Sequence, residues 1–191
     1  MNIYYLNDIV NQSEKIIKNL KKKDCAIIGR GKSQRQFWFD PDLYFIIFLN
    51  DFPLKYVKEY YGEDYNDKVF PFLSFYHFAF LYDKLIDRGC LENKTNILSF
   101  QEKEIFKPWH ISGNVIGTCI SFFCHLMNPG KNMIFSGIDF DDEKRKFEAE
   151  LNGVNISHKY YKNKINMYHV SKNNTRINVP YLPFHGIYRR F

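Results

Sequence analysis

The 191-residue chain lacks any apolar run long enough to cross a bilayer, which takes about 20 residues. Its first residues, MNIYYLNDIVNQSEK, lack the basic start and apolar block of a secretory signal peptide. Its four cysteines form no C-x-x-C pair, and Cys25 and Cys119 stand in apolar runs. This arrangement argues against zinc sites and disulfides and favours buried thiols in a reducing compartment. We therefore expect a cytoplasmic protein.

Disorder is not indicated either, because 45% of the residues are hydrophobic, as in globular domains. The length favours one domain over residues 1–191, and no repeat or linker divides the chain. The net charge of +6 favours anionic partners, namely nucleotides, phosphates, anionic lipid or nucleic acid. The abundant lysine, asparagine and isoleucine are equally expected from an AT-rich genome. The aromatic content of 18% indicates a pocket or an interface.

Short apolar runs alternate with helix-like segments along the chain. Strands are predicted at 25–28, 43–50, 68–75, 95–100 and 132–140, and helices at 3–20, 78–89, 112–127 and 141–151. Residues 1–23 are interpreted as an amphipathic N-terminal helix, and 175–191 as a short basic and aromatic C-terminal tail. The alternation predicts an α/β fold: a single Rossmann-like domain with a mainly parallel sheet and helices on both faces.

Sheets of this class bind ligands at the carboxyl ends of their strands. The stretch CAIIGRGKSQ, residues 25–34, leaves a predicted strand through two glycines, Gly29 and Gly31. It misses the dinucleotide motif G-x-G-x-x-G at Gln34 and the phosphate loop G-x-x-x-x-G-K-[ST] at Ala26. We expect the glycines to let the backbone approach a nucleotide, with their amides as donors and no side chain in the way. The alternative is an ordinary tight turn.

Five motifs follow one another in the chain: IIGRGKS, FLNDF, WHISGNVIG, IFSGIDF and YHVSKNN, within residues 27–174. Together they resemble the bacterial lipooligosaccharide sialyltransferases, glycosyltransferase family 42, which use CMP-activated sugars. The corresponding family motifs are Ile-x-Gly-Asn-Gly-Pro-Ser, Cys-Asn-Gln-Phe, Arg-Ile-Thr-Ser-Gly-Val, Leu-Ser-Gly-Ile-Asp-Phe and Gly-His-Ser-Lys-Asn. A pterin pyrophosphokinase-like family with a Gly-x-Gly-x-Ser loop is a weaker match.

The resemblance implies a GT-A-variant fold and inverting transfer of a sialic acid-like or other acidic keto-sugar. The donor would be a CMP-sugar and the acceptor a glycan or glycolipid, without a metal ion. His169 is implied as the general base, with Lys172, Tyr168 and His110 in support. The implied nucleotide and donor contacts are Gly29, Arg30, Gly31, Ser33, Asn50, Ser112, Gly113, Gly137, Asp139 and Phe140.

The chain departs from the family pattern at three positions. Arg30 replaces the loop asparagine, and Asp141 and Phe147 stand roughly where the family has two tyrosines. Those tyrosines steady the leaving phosphate in the family. Candidate replacements are three tyrosines close to His169 in the sequence, namely Tyr160, Tyr161 and Tyr168, although a tyrosine-rich loop is more often packing.

Other interpretations stay open. A histidine that titrates near neutrality suits a general base, but a lone histidine in a polar loop is more often at the surface. Asp139-Phe140-Asp141 also spells the D-x-D of metal-dependent glycosyltransferases. The chain could be a degenerate sugar-nucleotide binder or, with aromatic side chains among lysines and arginines, a nucleic-acid-binding protein. The N-terminal helix and the terminal YRRF indicate peripheral membrane contact, or a helix packed on its own core or in a homo-oligomer.

Overall fold

The computed structural model describes residues 3–5, 14–31, 39–50, 52–73, 75–93, 95–99, 115–140, 147–171 and 176–183. These ranges contain seven strands: β1 Ile3–Tyr5, β2 Asp24–Ile28, β3 Tyr44–Leu49, β4 Val69–Leu73, β5 Ile97–Ser99, β6 Asn132–Ser136 and β7 Asn166–His169. They also contain five α-helices: α1 Glu14–Lys22, α2 Leu54–Tyr61, α3 Phe75–Asp87, α4 Val115–Leu126 and α5 Glu148–Tyr161.

The strands form one sheet in the order β1-β5-β4-β3-β2-β6-β7, and every pairing is parallel. From β2 the chain moves outward through β3, β4 and β5, and it then returns to the other side of β2 as β6. The direction of winding therefore reverses between β2 and β6. In open α/β sheets the ligand crevice lies at the carboxyl ends of the two strands that flank such a reversal.

Helices cover both faces of the sheet, as the sequence predicted. Alternate residues of β2 enter opposite cores, because side chains along a strand point alternately to the two faces. Cys25 and Ile27 lie in the core beneath α1, α4 and α5. Ala26 and Ile28 lie in the core beneath α2, and α3 packs on the same face farther along the sheet. The predicted α/β Rossmann-like fold is confirmed.

The prediction of one helix over residues 3–20 is wrong at its beginning. Ile3–Tyr5 is an edge strand that pairs with β5, and the helix described in this region begins at Glu14. The spacing of the apolar residues at the start of the chain matched a helix by chance. The strand that pairs with them lies more than 90 residues away in the sequence, so no local pattern could indicate it. The apolar side of α1 is directed inward, with Ile16 and Leu20 in the core. Packing on the protein's own core was the alternative to membrane contact for this helix.

Three elements had no prediction or were placed too early in the sequence. α2 and β7 were not predicted, because they are short and rich in polar residues. α5 was expected at 141–151 but is described over Glu148–Tyr161. In the described part of the tail, Ile177 and Val179 enter the core, whereas residues 184–191 lie outside the described residues. No helix among the described residues is long and apolar enough to span a membrane.

Candidate functional site

The loops that follow β2 and β6 are in direct contact at the reversal point. The N–H of Gly29 donates to the carbonyl of Ser136 (2.8 Å), and the N–H of Gly31 donates to the carbonyl of Gly137 (2.7 Å). A Cβ on Gly31 would lie 2.5 Å from Asp139 Oδ2 and 2.7 Å from the Gly137 oxygen. Contacts this short do not occur around real side chains. Glycine is required here because the two loops pack against each other.

This packing corrects the expected role of the two glycines. Their amides were predicted to donate to a nucleotide, but Gly29 donates to Ser136 at the end of β6 and Gly31 donates to Gly137 in the loop that follows. A side chain at Gly31 was expected to obstruct only the ligand, but it would first displace the β6 loop. Arg30, between the two glycines, has an exposed side chain. Among the described residues of this turn, Arg30 rather than the two glycine amides presents a group at the edge of the sheet.

Two buried polar side chains, His169 and Asp139, lie at the carboxyl ends of β7 and β6. His169 ends β7 and pairs with Phe135, and Asp139 follows the end of β6. The side chains are only 4% and 6% exposed respectively. Nδ1 of His169 is one of two buried side-chain polar atoms without a hydrogen-bond partner among the described residues, the other being Ser136 Oγ. Buried polar atoms are nearly always hydrogen-bonded, so each such exception is a candidate ligand contact.

The surroundings of His169 favour its neutral form. Burial lowers the pKa of His169, and the negative charge of Asp139 opposes this effect without cancelling it. An imidazole with a lowered pKa is uncharged at neutral pH and has a lone pair ready to accept a proton. The nearby carboxylate would stabilise the imidazolium that proton uptake creates. This combination suits a general base.

The C-terminal segment holds the backbone of His169 in place. The His169 N–H donates to the carbonyl of Pro180 (3.0 Å), and the Leu182 N–H donates to the carbonyl of His169 (2.8 Å). The rings of His169 and Tyr181 lie 5.7 Å apart between centroids, and Tyr181 is 42% exposed. No pattern in the sequence indicates this contact, because residues 180–182 have no strand-like apolar alternation. Tyr181 is therefore the site residue that sequence reasoning missed.

Two predicted donor contacts have strained backbones at the same edge. Asn50, after β3, has φ 53°, and Phe140, after β6, has φ 50°; these are the described non-glycine residues with positive φ. Asparagine tolerates this conformation well, whereas for a bulky side chain it is uncommon. Phe140 packs against Phe147 with 5.8 Å between the ring centroids. Such strain costs of the order of 1–3 kcal/mol per residue and clusters at binding sites.

The remaining predicted residues fall into two groups. Tyr160 and Tyr161 lie at the end of α5, which leads to the opposite, amino edge of the sheet, so they cannot supply phenols to His169. Tyr168 is half-buried and points to the opposite sheet face from its neighbour His169. The following predicted residues lie outside the described residues: Ser33, His110, Ser112, Gly113, Asp141 and Lys172.

The described residues contain no group of three histidine, cysteine, aspartate or glutamate side chains placed to hold a metal ion. The D-x-D pattern is not described completely, since Asp141 lies outside the described ranges. Comparison of the chain with protein families, curated proteins and solved structures found no match. The resemblance to the sialyltransferases therefore stays a prediction that rests on the motifs themselves.

Proposed function

We propose that this protein is an inverting glycosyltransferase that binds a CMP-activated acidic sugar at the β2/β6 crevice, with His169 as general base. The observation that carries the proposal is the position of His169, which ends β7 beside β6, at the same carboxyl edge of a Rossmann-like sheet as Asp139, whose charge acts on its pKa. Parallel sheets of this class bind nucleotides at this edge. The motif resemblance supplies the identity of the nucleotide and the sugar.

The proposed reaction needs one proton acceptor on the protein. His169 removes the proton of an acceptor hydroxyl as its oxygen attacks the anomeric carbon of the sugar. The new glycosidic bond forms while the bond from that carbon to the phosphate oxygen breaks, and CMP departs with the electron pair. The proton remains on the imidazole, where the charge of Asp139 compensates it. Attack opposite to the leaving phosphate inverts the anomeric configuration.

The donor phosphate would meet two positive features at the same edge. Arg30 is exposed on the β2 loop, and a guanidinium pairs with phosphate through two parallel hydrogen bonds. α4 begins at Val115 at this end of the sheet, since it leads back to the amino end of β6. A helix N-terminus directs its partial positive charge and its unpaired N–H groups toward an anion.

A sugar-nucleotide binder without turnover is the second candidate, and the burial of His169 favours it. A side chain that is only 4% exposed must gain access to an acceptor hydroxyl before it can act as a base. Both candidates bind a sugar nucleotide in the same crevice, and they differ in whether an acceptor hydroxyl reaches His169 and reacts. Binding and turnover therefore have to be measured separately.

Binding is tested by thermal shift with CMP, UDP, GDP, ADP and their sugars, with and without Mn²⁺. A ligand at 100 times its Kd stabilises the folded state by about 2.7 kcal/mol. We expect selective stabilisation by CMP and CMP-sugars, greatly weakened in Arg30→Gln. Arg88→Gln, which removes an exposed arginine at the end of α3, is the matched control and should behave as the native protein. An absence of stabilisation by every nucleotide would refute the proposed crevice.

A further inference from the structure

The amino edge of the sheet, opposite to the crevice, has a continuous group of lysines. We call it the lysine edge; its members are Lys21, Lys22, Lys23, Lys131, Lys162 and Lys164. They lie in the segments that lead into β2, β6 and β7, which are neighbours in the sheet. The segments touch: Lys131 Nζ donates to the carbonyl of Lys22, and the Gly130 N–H donates to the carbonyl of Lys164 (2.8 Å).

Within the part of the chain that the structure describes, positive charge is concentrated at this edge. In the three segments that hold its six lysines there is one carboxylate, Asp24, which accepts hydrogen bonds from the backbone and side chain of Asn132 (3.0 and 2.8 Å). Asp40 and Asp42, in the segment that leads into β3, border the group next to Lys23. The described residues outside the three lysine segments contain ten lysines and arginines and thirteen aspartates and glutamates, so their net charge is negative. A lysine-rich composition alone would spread the charge evenly. Among the described residues, the fold instead brings lysines from three separate segments together at one edge.

Structural roles explain only half of the lysine edge. Lys131 and Lys164 donate to the carbonyls of Lys22 and His125 at the ends of α1 and α4. Lys23 donates to the carbonyl of Pro41 in the turn before β3. Lys21, Lys22 and Lys162 are exposed, and no such hydrogen bond is described for their ammonium groups. Their charges add to a surface that is already positive. A partner of opposite charge would offset the repulsion among them.

An exposed apolar pair lies next to the lysine edge. On α5, Ile156 is 45% exposed and Tyr160 is 72% exposed, and the four-residue spacing places them on one side of the helix. Lysines beside exposed tyrosine and aliphatic side chains are the chemistry of contact with an anionic lipid surface. Nucleic-acid surfaces favour arginine forks and stacked aromatic rings, and the lysine edge has no arginine.

We propose that the lysine edge, together with Ile156 and Tyr160, docks the protein on an anionic phospholipid bilayer. The inference rests on charge and exposure alone and is independent of the proposed transferase activity. Because the docking surface is at the amino edge, the crevice opens at the other end of the sheet.

The test is sedimentation of the full chain with vesicles of phosphatidylcholine containing 30% phosphatidylserine, compared with pure phosphatidylcholine. The variant K21Q/K22Q/K162Q removes three exposed charges from the lysine edge. The matched control K55Q/K84Q/R88Q removes three exposed charges elsewhere. Near an anionic surface each lysine contributes about fivefold in affinity, so the first variant should bind about 100-fold more weakly. The control should change by less than about threefold, because charges farther from the lipid are screened.

Tyr160→Ser tests the apolar pair without a change in charge. Weaker binding to the anionic vesicles, with an unchanged circular dichroism spectrum, would support the docking surface. Equal binding to both vesicle types, or equal losses in the two triple variants, would overturn it. Binding to single- or double-stranded nucleic acid without any binding to vesicles would also overturn it in favour of a nucleic-acid partner.

Discussion

Replacement of Gly31 by alanine tests whether the β2 and β6 loops are packed as the structure describes. The added Cβ would lie 2.5 Å from Asp139 Oδ2 and 2.7 Å from the Gly137 carbonyl oxygen. The carboxylate can rotate, but the backbone oxygen cannot move without moving the loop. Overpacking of this kind costs about 1–3 kcal/mol. If the loops separate, the hydrogen bond from Gly31 to Gly137 is also lost, at about 1 kcal/mol.

Alanine also restricts the unfolded chain, which returns about 0.4–1 kcal/mol at a compatible site. We therefore expect Gly31→Ala to lower the free energy of unfolding by about 1–3 kcal/mol, measured by urea denaturation. Gly89→Ala is the matched control. Gly89 has φ +66°, and an added Cβ would meet no described atom within 4 Å, so its cost of about 1–2 kcal/mol comes from the backbone alone.

A second measurement separates the two variants even when their stabilities are similar. The charge of Asp139 raises the pKa of His169, against the larger effect of burial. Displacement of Asp139 in Gly31→Ala should therefore lower the pKa of His169 further, as followed by NMR titration of its ring protons. Gly89→Ala should leave this pKa unchanged. A stable Gly31→Ala with the native His169 pKa would show that the two loops do not touch.

Further predictions concern His169, the cysteines and metal dependence. His169→Ala should reduce turnover by about 10²–10⁴-fold with little change in donor affinity, which steady-state kinetics and calorimetry measure; full activity would exclude it as the base. The folded pKa of His169 is lowered, so the contribution of His169 to the free energy of unfolding is complete above about pH 6.5 and is lost as the pH falls through the folded pKa. His169→Asn should therefore flatten the pH dependence of stability, as measured by urea titrations. Burial raises the pKa of three thiols, which should react with a thiol reagent at pH 8 only after unfolding; fast reaction of the folded protein would contradict this for Cys25, Cys119 and Cys124. EDTA should leave any transferase activity unchanged, and a large loss would favour the metal interpretation of Asp139 and Asp141.

The sequence by itself determined the central sheet and the edge where a ligand is expected. Apolar runs with polar or glycine residues at both ends predict β2, β3, β4 and β6, because strands buried on both faces exclude polar side chains. Gly29 and Gly137 follow two of these runs, so the loops at the carboxyl edge could be recognised from the sequence alone. Strand burial and turns can be predicted from the sequence because each depends on residues that are close together in the chain.

Only the tertiary structure decided which distant segments meet. The pairing of β1 with β5 depends on residues far apart in the chain, so the spacing of Ile3–Tyr5 could not distinguish a strand from a helix. The burial of His169 likewise depends on Pro180 and Leu182, whose backbone groups pair with it regardless of side-chain type. Hydrogen bonds between backbone groups do not depend on side-chain type, so the sequence pattern does not reveal them. Charged residues of separate segments form one charged surface only when the strands that follow those segments are neighbours in the sheet. The sequence therefore indicated His169 as a candidate site residue, whereas its burial, its lowered pKa and its contact with Tyr181 depend on the fold.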